Sequence, residues 1–285
     1  MSFSKQTFNV GGLSTNVYSS QNTADHANPV AVLFILHGRT SSAESIEWVA
    51  HSTLRWTQDH RNGDAQNAQD LFVVTIDHRN HGSRLVDEHA NKGWKENERH
   101  AIDMYSIQTG TARDVSFLID FLPAYLFPAG ERVVSQWLMA GISLGGHSTW
   151  ITLRNESRVK LGIPIIGCPD YLTLMAARAK TNALPLAPPY LPDSLRALIE
   201  RDDPAAAPHT AADAANPFRG KKVLVLCGED DTLVPYAAGR AFVKALDMGS
   251  TGVKKVVVAP GVGHECTPEM VREMAAFVWE NALTV

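Results

Sequence analysis

A serine flanked by glycines, Gly141-Ile142-Ser143-Leu144-Gly145, follows the apolar run Trp137-Leu138-Met139-Ala140 and leads into Gly146-His147. This G-x-S-x-G spacing belongs to a sharp turn between a strand and a helix, whose constrained backbone pushes the serine hydroxyl out at the strand end. Glycine is needed on both sides because side chains there would collide where strand and helix converge. A serine hydroxyl is barely ionised near neutral pH, so chemistry at Ser143 demands a base within hydrogen-bond reach and an acid to orient that base. Two later segments carry the required residue types, Gly228-Glu229-Asp230-Asp231-Thr232-Leu233-Val234-Pro235 and Pro260-Gly261-Val262-Gly263-His264-Glu265. His264 can take and return the serine proton, and a carboxylate beside it would fix the ring's tautomer and stabilise the imidazolium. Charge developing on an attacked carbonyl oxygen needs preorganised N–H donors, and losing one typically costs about 2.7 to 4 kcal/mol of barrier. The elbow offers such an amide at Leu144, and the turn His37-Gly38-Arg39 offers another at Arg39.

These residues are far apart in the chain, so the elements between them must bring them together. Val30–Leu36, Leu71–Ile76 and Val159–Ile166 are short apolar runs of the kind that form strands buried on both faces, and the run into Ser143, Lys221–Cys227 and Val253–Ala259 read as further strands. Amphipathic stretches alternate with them: one from Glu44 carrying Ile46, Val49, Leu54 and Trp56, then Thr111 to Phe127, Tyr236 to Asp247, and Thr267 to about Leu283. A hairpin opens the chain, with Phe8–Val10 and Leu13–Tyr18 around Gly11-Gly12 at a sheet edge. The rhythm predicts a mostly parallel central sheet with helices on both faces. In such a sheet the residues just past the carboxyl ends of the strands converge on one edge, which is where Ser143, Asp231 and His264 fall.

Two segments interrupt the pattern. From His78 to Gly110 the chain is polar with little periodicity and reads as a long excursion, functional or mobile. Nine of the 15 prolines fall between 164 and 217, which reads as a small cap insertion with short helices near Tyr171 to Lys180 and Ser194 to Arg201. The whole of 1–285 is otherwise expected to be one α/β domain, since 285 residues at 45% hydrophobic can bury one sizeable core.

Net charge of −4 and a pI near 6.2 leave no basic face for nucleic acid or an anionic membrane. The opening stretch lacks the apolar core of a signal peptide, and no apolar run approaches the roughly 20 residues that span a bilayer. A cytoplasmic protein is therefore expected. Cys168, Cys227 and Cys266 form no CxxC pair and read as buried thiols. His78, His81 and His89 lie close together without a metal-ligand spacing, so neither a metal nor another cofactor is expected.

Taken in order, these segments resemble an α/β-hydrolase over nearly the whole chain. His37-Gly38-Arg39 is similar to the family's oxyanion turn, Asp77-His78-Arg79-Asn80-His81-Gly82-Ser83 to its D-x-R-G-x-G-x-S segment, and Gly141 to Gly145 to its elbow. Gly228-x-x-Asp231-x-x-Val234-Pro235 and Gly263-His264 match its acid and base segments. The Asn80 to Arg84 wording also resembles small prolyl-oligopeptidase-like esterases. The resemblance implies Ser143 as nucleophile, His264 as general acid and base, Asp231 as orienter, and the Arg39 and Leu144 amides as oxyanion hole.

Neighbouring residues have plainer readings. Motif register favours Asp231 over the adjacent Asp230, and Glu229 and Glu265 read as bystanders. His37 is expected to brace its turn, and His147 to point into packing behind the elbow. Trp94, Tyr105 and Tyr171 could wall a pocket or simply pack in the core, and Arg39 could reach the site or remain in solvent. The function expected is hydrolysis of a small carboxylic ester through an acyl-enzyme. An amidase, peptidase, thioesterase or lactonase would use the same residues, although no propeller-sized region is present to filter peptides. A ligand receptor on the same scaffold is the non-enzymatic alternative, and it would have no need of a nucleophile with its base.

Overall fold

A computed structural model describes residues 3–20, 28–64 and 68–284, with the side chains of 62–64 excluded. Met1 and Ser2, which belong to the opening stretch considered above, lie outside the described residues. The chain alternates strands and helices: β1 Phe3–Val10, β2 Leu13–Ser20, β3 Val30–Leu36, α1 Glu47–Asp64, β4 Asp70–Ile76, α2 His100–Leu126, β5 Val134–Ile142 and α3 Leu144–Asn155. It continues through β6 Val159–Ile165, α4 Tyr171–Thr181, α5 Asp193–Asp202, β7 Lys222–Gly228, α6 Tyr236–Ala245, β8 Val253–Ala259 and α7 Pro268–Val278. One sheet holds all eight strands in the order β1-β2-β4-β3-β5-β6-β7-β8. β1 and β2 pair antiparallel, as do β2 and β4, and every later pairing is parallel. The turn between β1 and β2 has both Gly11 and Gly12 at positive φ, the backbone that a two-residue hairpin loop requires.

The apolar runs of β3 to β7 are buried on both faces because the pleat divides each one between two cores, whereas β8 ends the sheet and leaves Val256 and Val258 exposed. Val30, Val32, Phe34 and Leu36 of β3 join one cluster with Val115, Leu118 and Leu122 of α2, Trp150 of α3 and Phe242 of α6. Ala31, Leu33 and Ile35 join the other, with Val49 and Leu54 of α1 and Met274 and Phe277 of α7. Alternation with a period of two thus places a helix layer on each side of the sheet. Asp70 at the head of β4 is fully buried and receives the guanidinium groups of both Arg61 and Arg132.

The excursion from His78 to Gly110 ends earlier than the sequence suggests, because 100–110 forms the first turns of the 27-residue α2. Its polar wording hid an inward face: Ala101, Met104, Tyr105 and Ile107 pack against Leu174 and Met175 of α4 and against Leu144. Gly110, which read as a loop end, lies inside the helix, where an added Cβ would stand 2.6 Å from Cδ of Arg79. Arg79 passes over that glycine to donate to Asp114 from Nε at 3.1 Å and from Nη2 at 2.7 Å. Arg84 meets the same carboxylate at 2.9 Å, so the loop is pinned to the helix it precedes. The proline-rich segment contributes α4 and α5, whose apolar residues face Trp94, Tyr105 and Leu144 in a third cluster. Among the described residues, no helix is long and apolar enough to cross a membrane.

Candidate active site

Parallel pairing puts the ends of β3, β5, β7 and β8 at one edge of the sheet, and each candidate residue lies within five positions of such an end. At the elbow, Ser143 adopts φ 53 and ψ −105, a backbone that a residue with a side chain adopts only under constraint, at a cost of about 1 to 3 kcal/mol. Three hydrogen bonds hold it: Ser143 N to Ile165 O at 2.8 Å, His147 N to Ser143 O at 3.0 Å and Gly145 N to His37 O at 3.1 Å. The glycines are explained by close approach, since a Cβ on Gly141 would lie 2.2 Å from the Gly145 carbonyl oxygen and one on Gly145 would lie 2.5 Å from that of Leu36. Both obstacles are backbone and cannot swing aside. Gly145→Ala is therefore expected to lower stability by about 3 kcal/mol or more, read as a reduced urea midpoint; an unchanged midpoint would contradict this crossing.

The loops after β7 and β8 are laced together by their backbones. Glu229 N donates to Ala259 O at 3.0 Å and Asp230 N to Val262 O at 2.9 Å. A Cβ on Gly228 would sit 2.4 Å from the carbonyl oxygens of both Val262 and Gly263, so that glycine is what lets the loops touch. The contact brings Asp231 to His264, whose Nδ1 lies 2.7 Å from Oδ2 of the carboxylate. The other carboxylate oxygen accepts from the amides of Leu233 at 2.9 Å and Val234 at 2.8 Å. Burial alone would raise the Asp231 carboxyl, but the His264 and amide hydrogen bonds outweigh it and the net shift is downward. Asp230 points its side chain to solvent, and Glu229 and Glu265 are also exposed.

His264 completes the line, with Nε2 2.8 Å from Oγ of Ser143. With Nδ1–H directed at Asp231, Nε2 is left to accept the serine proton; this tautomer is inferred from the hydrogen-bond pattern. Ser143, His264 and Asp231, picked out in the sequence from three separate segments, are thus in one hydrogen-bonded chain. The turn after β3 lies alongside, since a Cβ on Gly38 would come 3.8 Å from Cβ of Ser143. The amides of Arg39 and Leu144 have no hydrogen-bond partner among the described residues, and both belong to turns that border the hydroxyl.

The other histidines hold the frame. His37 is fully buried, its Nδ1 donates to Gly38 O at 2.7 Å and its Nε2 accepts from His78 N at 3.0 Å. Burial pushes its pKa down to about 4, so it braces the turn as a neutral ring. His147 lies behind the elbow, where Cys168 N donates to its Nδ1 at 3.0 Å, and burial likewise lowers it to about 4. Asp77 is a structural anchor: Oδ1 accepts from Ala43 N at 2.8 Å, and Oδ2 accepts from Ser83 N at 2.8 Å and Ser83 Oγ at 2.7 Å. Gly82, at φ 53, leaves room for that carboxylate.

A model of a family described as alpha/beta hydrolase matches residues 32–278, a span that includes Arg39, Ser143, Leu144, Asp231 and His264. The chain belongs to the alpha/beta hydrolase family. Membership supports hydrolase activity for this α/β hydrolase. Solved structures share the fold at low identity. TT1662 from Thermus thermophilus matches with a TM-score of 0.67 at 21% identity, covering 99% of this chain and 100% of its own. A cold-adapted esterase from an Arctic intertidal metagenomic library matches at 0.56 and 16%, covering 98% of this hydrolase and 93% of its own chain. An acylaminoacyl peptidase from Pyrococcus horikoshii matches at 0.60 and 14%, covering 100% of this chain and 42% of its own. No curated protein matches the sequence.

Between the turn after β3, the loop after β7 and α4 lies a cavity of about 380 Å³. Arg39, Trp94, His100 and Arg178 wall it together with Thr232 and Leu233, which directly follow Asp231. Of the aromatic residues considered from the sequence, Trp94 lines this space, whereas Tyr105 and Tyr171 are core residues and the Tyr171 hydroxyl donates to Ala101 O at 2.7 Å. His100 and Arg178 were not marked by the sequence. Each sits in an amphipathic helix with no motif around it, and only the packing of α2 against α4 makes them neighbours.

Proposed function

We propose that this α/β hydrolase is a serine carboxylesterase that cleaves small esters through an acyl-enzyme. The observation that carries the reading is the unbroken line from Ser143 Oγ through His264 to Asp231, at 2.8 and 2.7 Å. Ser143 Oγ attacks the ester carbonyl carbon as its proton passes to His264 Nε2, and Asp231 stabilises the imidazolium. The carbonyl oxygen, now negative, takes hydrogen bonds from the Arg39 and Leu144 amides. His264 returns the proton to the departing alkoxide, and the acyl group stays on Ser143. Water then attacks that acyl group with His264 as base, releasing the acid and restoring the serine. A cavity of about 380 Å³ suits a small acyl or alcohol portion.

A chromogenic series tests this. Short-chain p-nitrophenyl esters should turn over, and a p-nitroanilide of matched acyl group should turn over far more slowly. Comparable anilide turnover would make the protein an amidase. No turnover of either, with a small ligand still raising Tm, would make it a receptor.

A further inference from the structure

The cavity between the Arg39 turn and α4 has a charge pattern that ester cleavage alone leaves unused. Its two arginines are half-buried and come from distant elements, Arg39 from the turn after β3 and Arg178 from α4. Neither has a carboxylate partner among the described residues. Arg39 donates through Nη1 to Asn91 O at 2.8 Å. Arg178 donates through Nη2 to Leu233 O at 3.1 Å and through Nη1 to Nε2 of His100 at 3.3 Å, and its buried Nε has no partner. Elsewhere in the fold, arginines with comparable shielding rest on carboxylates: Arg61 and Arg132 on Asp70, and Arg84 on Asp114.

The remaining lining residues do not neutralise the pair. His100 donates from Nδ1 to Lys92 O at 2.8 Å and accepts on Nε2, and burial pushes it down to about 4, so it is neutral near pH 7. Lys95 and Glu96 are exposed and of opposite sign. Asp231 is already engaged by His264 and two amides. Arg178 does lie in the last turn of α4, where a cation suits the helix dipole. That accounts for a positive charge there, but not for holding a guanidinium away from water with an unfilled donor. Nη1 and Nη2 of Arg178 each make one hydrogen bond among the described residues and so each keep a second N–H, and a planar guanidinium with such N–H groups at a cavity wall is suited to an oxyanion.

We propose that Arg39 and Arg178 form an anion subsite that binds a carboxylate or phosphate group carried by the substrate, so that the preferred substrates are negatively charged esters, such as monoesters of dicarboxylic acids. The proposal rests on the esterase reading for the identity of the scissile bond, and on the cavity alone for the anion.

The first measurement compares kcat/KM for mono-p-nitrophenyl glutarate with that for neutral p-nitrophenyl pentanoate on the intact protein. The charged ester should be favoured, and the advantage should shrink in about 0.5 M salt. Arg178→Gln should reduce the ratio of the two values about tenfold or more, and Arg178→Lys by less. Arg39 is left unaltered because its amide is assigned to the oxyanion hole. The second measurement titrates glutarate and inorganic phosphate into Ser143→Ala protein by calorimetry, with and without Arg178→Gln. Binding that weakens in the double variant supports the subsite, and the tighter ligand tells carboxylate from phosphate. Anion binding without turnover of any ester would retain the subsite and remove the esterase reading. Ester turnover with no anion preference and no anion binding would do the reverse. A preference that Arg178→Gln leaves intact would overturn the assignment, and Arg178→Lys supplies the same comparison if the glutamine variant does not fold.

Discussion

Ser143→Ala is expected to lower kcat for a p-nitrophenyl ester by a factor on the order of 10⁶, leaving only the residual rate that binding and the oxyanion donors provide. The size of the effect follows from the geometry. Oγ is the atom 2.8 Å from His264 Nε2, and without it neither the base nor the two N–H donors has a nucleophile to act through. The substitution removes one oxygen from a site that is only partly buried, so the fold should persist, which an unchanged circular dichroism spectrum and urea midpoint would verify. A fluorophosphonate probe should label the native protein at Ser143 and fail to label the variant. Labelling of comparable extent after the substitution would place the nucleophile elsewhere and sink the mechanism.

Asp231→Asn should lower kcat about 10⁴-fold, whereas Asp230→Asn should leave it within a few-fold of the native value. The two residues are adjacent and chemically identical, so the contrast isolates position. Asp231 is buried, accepts from two amides and meets His264 Nδ1 at 2.7 Å. Asp230 has an exposed side chain, and its fixed contact is through its backbone amide to Val262 O. An asparagine at 231 keeps the shape but removes the charge that stabilises the imidazolium, and its NH₂ can turn toward Nδ1 and favour the wrong tautomer. Matched losses for both variants, or a larger loss for Asp230→Asn, would transfer the orienting role.

The parts of the site legible in the sequence were those with local causes. The elbow glycines announce themselves because strand and helix cross at Gly141 and Gly145 within five residues, and no side chain fits there. The buried strands were legible because apolar runs of about seven residues have no other place in a chain of this composition. The start of α2 was not, since the residues that bury its first turns belong to α4 and α5, and since Gly110 and its polar neighbours resemble loop residues until Arg79 is seen lying across them. The role of Gly228 was equally hidden, because what it accommodates is the backbone of a loop more than thirty residues later.

The sequence by itself determined the alternation of strands and helices, the family resemblance, and Ser143, Asp231 and His264 as the residues to watch, because each is specified by its immediate neighbours. The tertiary structure decided that Asp231 rather than Asp230 faces His264, that the loop after His78 is tied down by Asp114, and that Arg39 shares a cavity with Arg178. Those outcomes depend on which surfaces are buried together, and the periodicity of a segment shows which of its faces is buried but not which distant segment covers it.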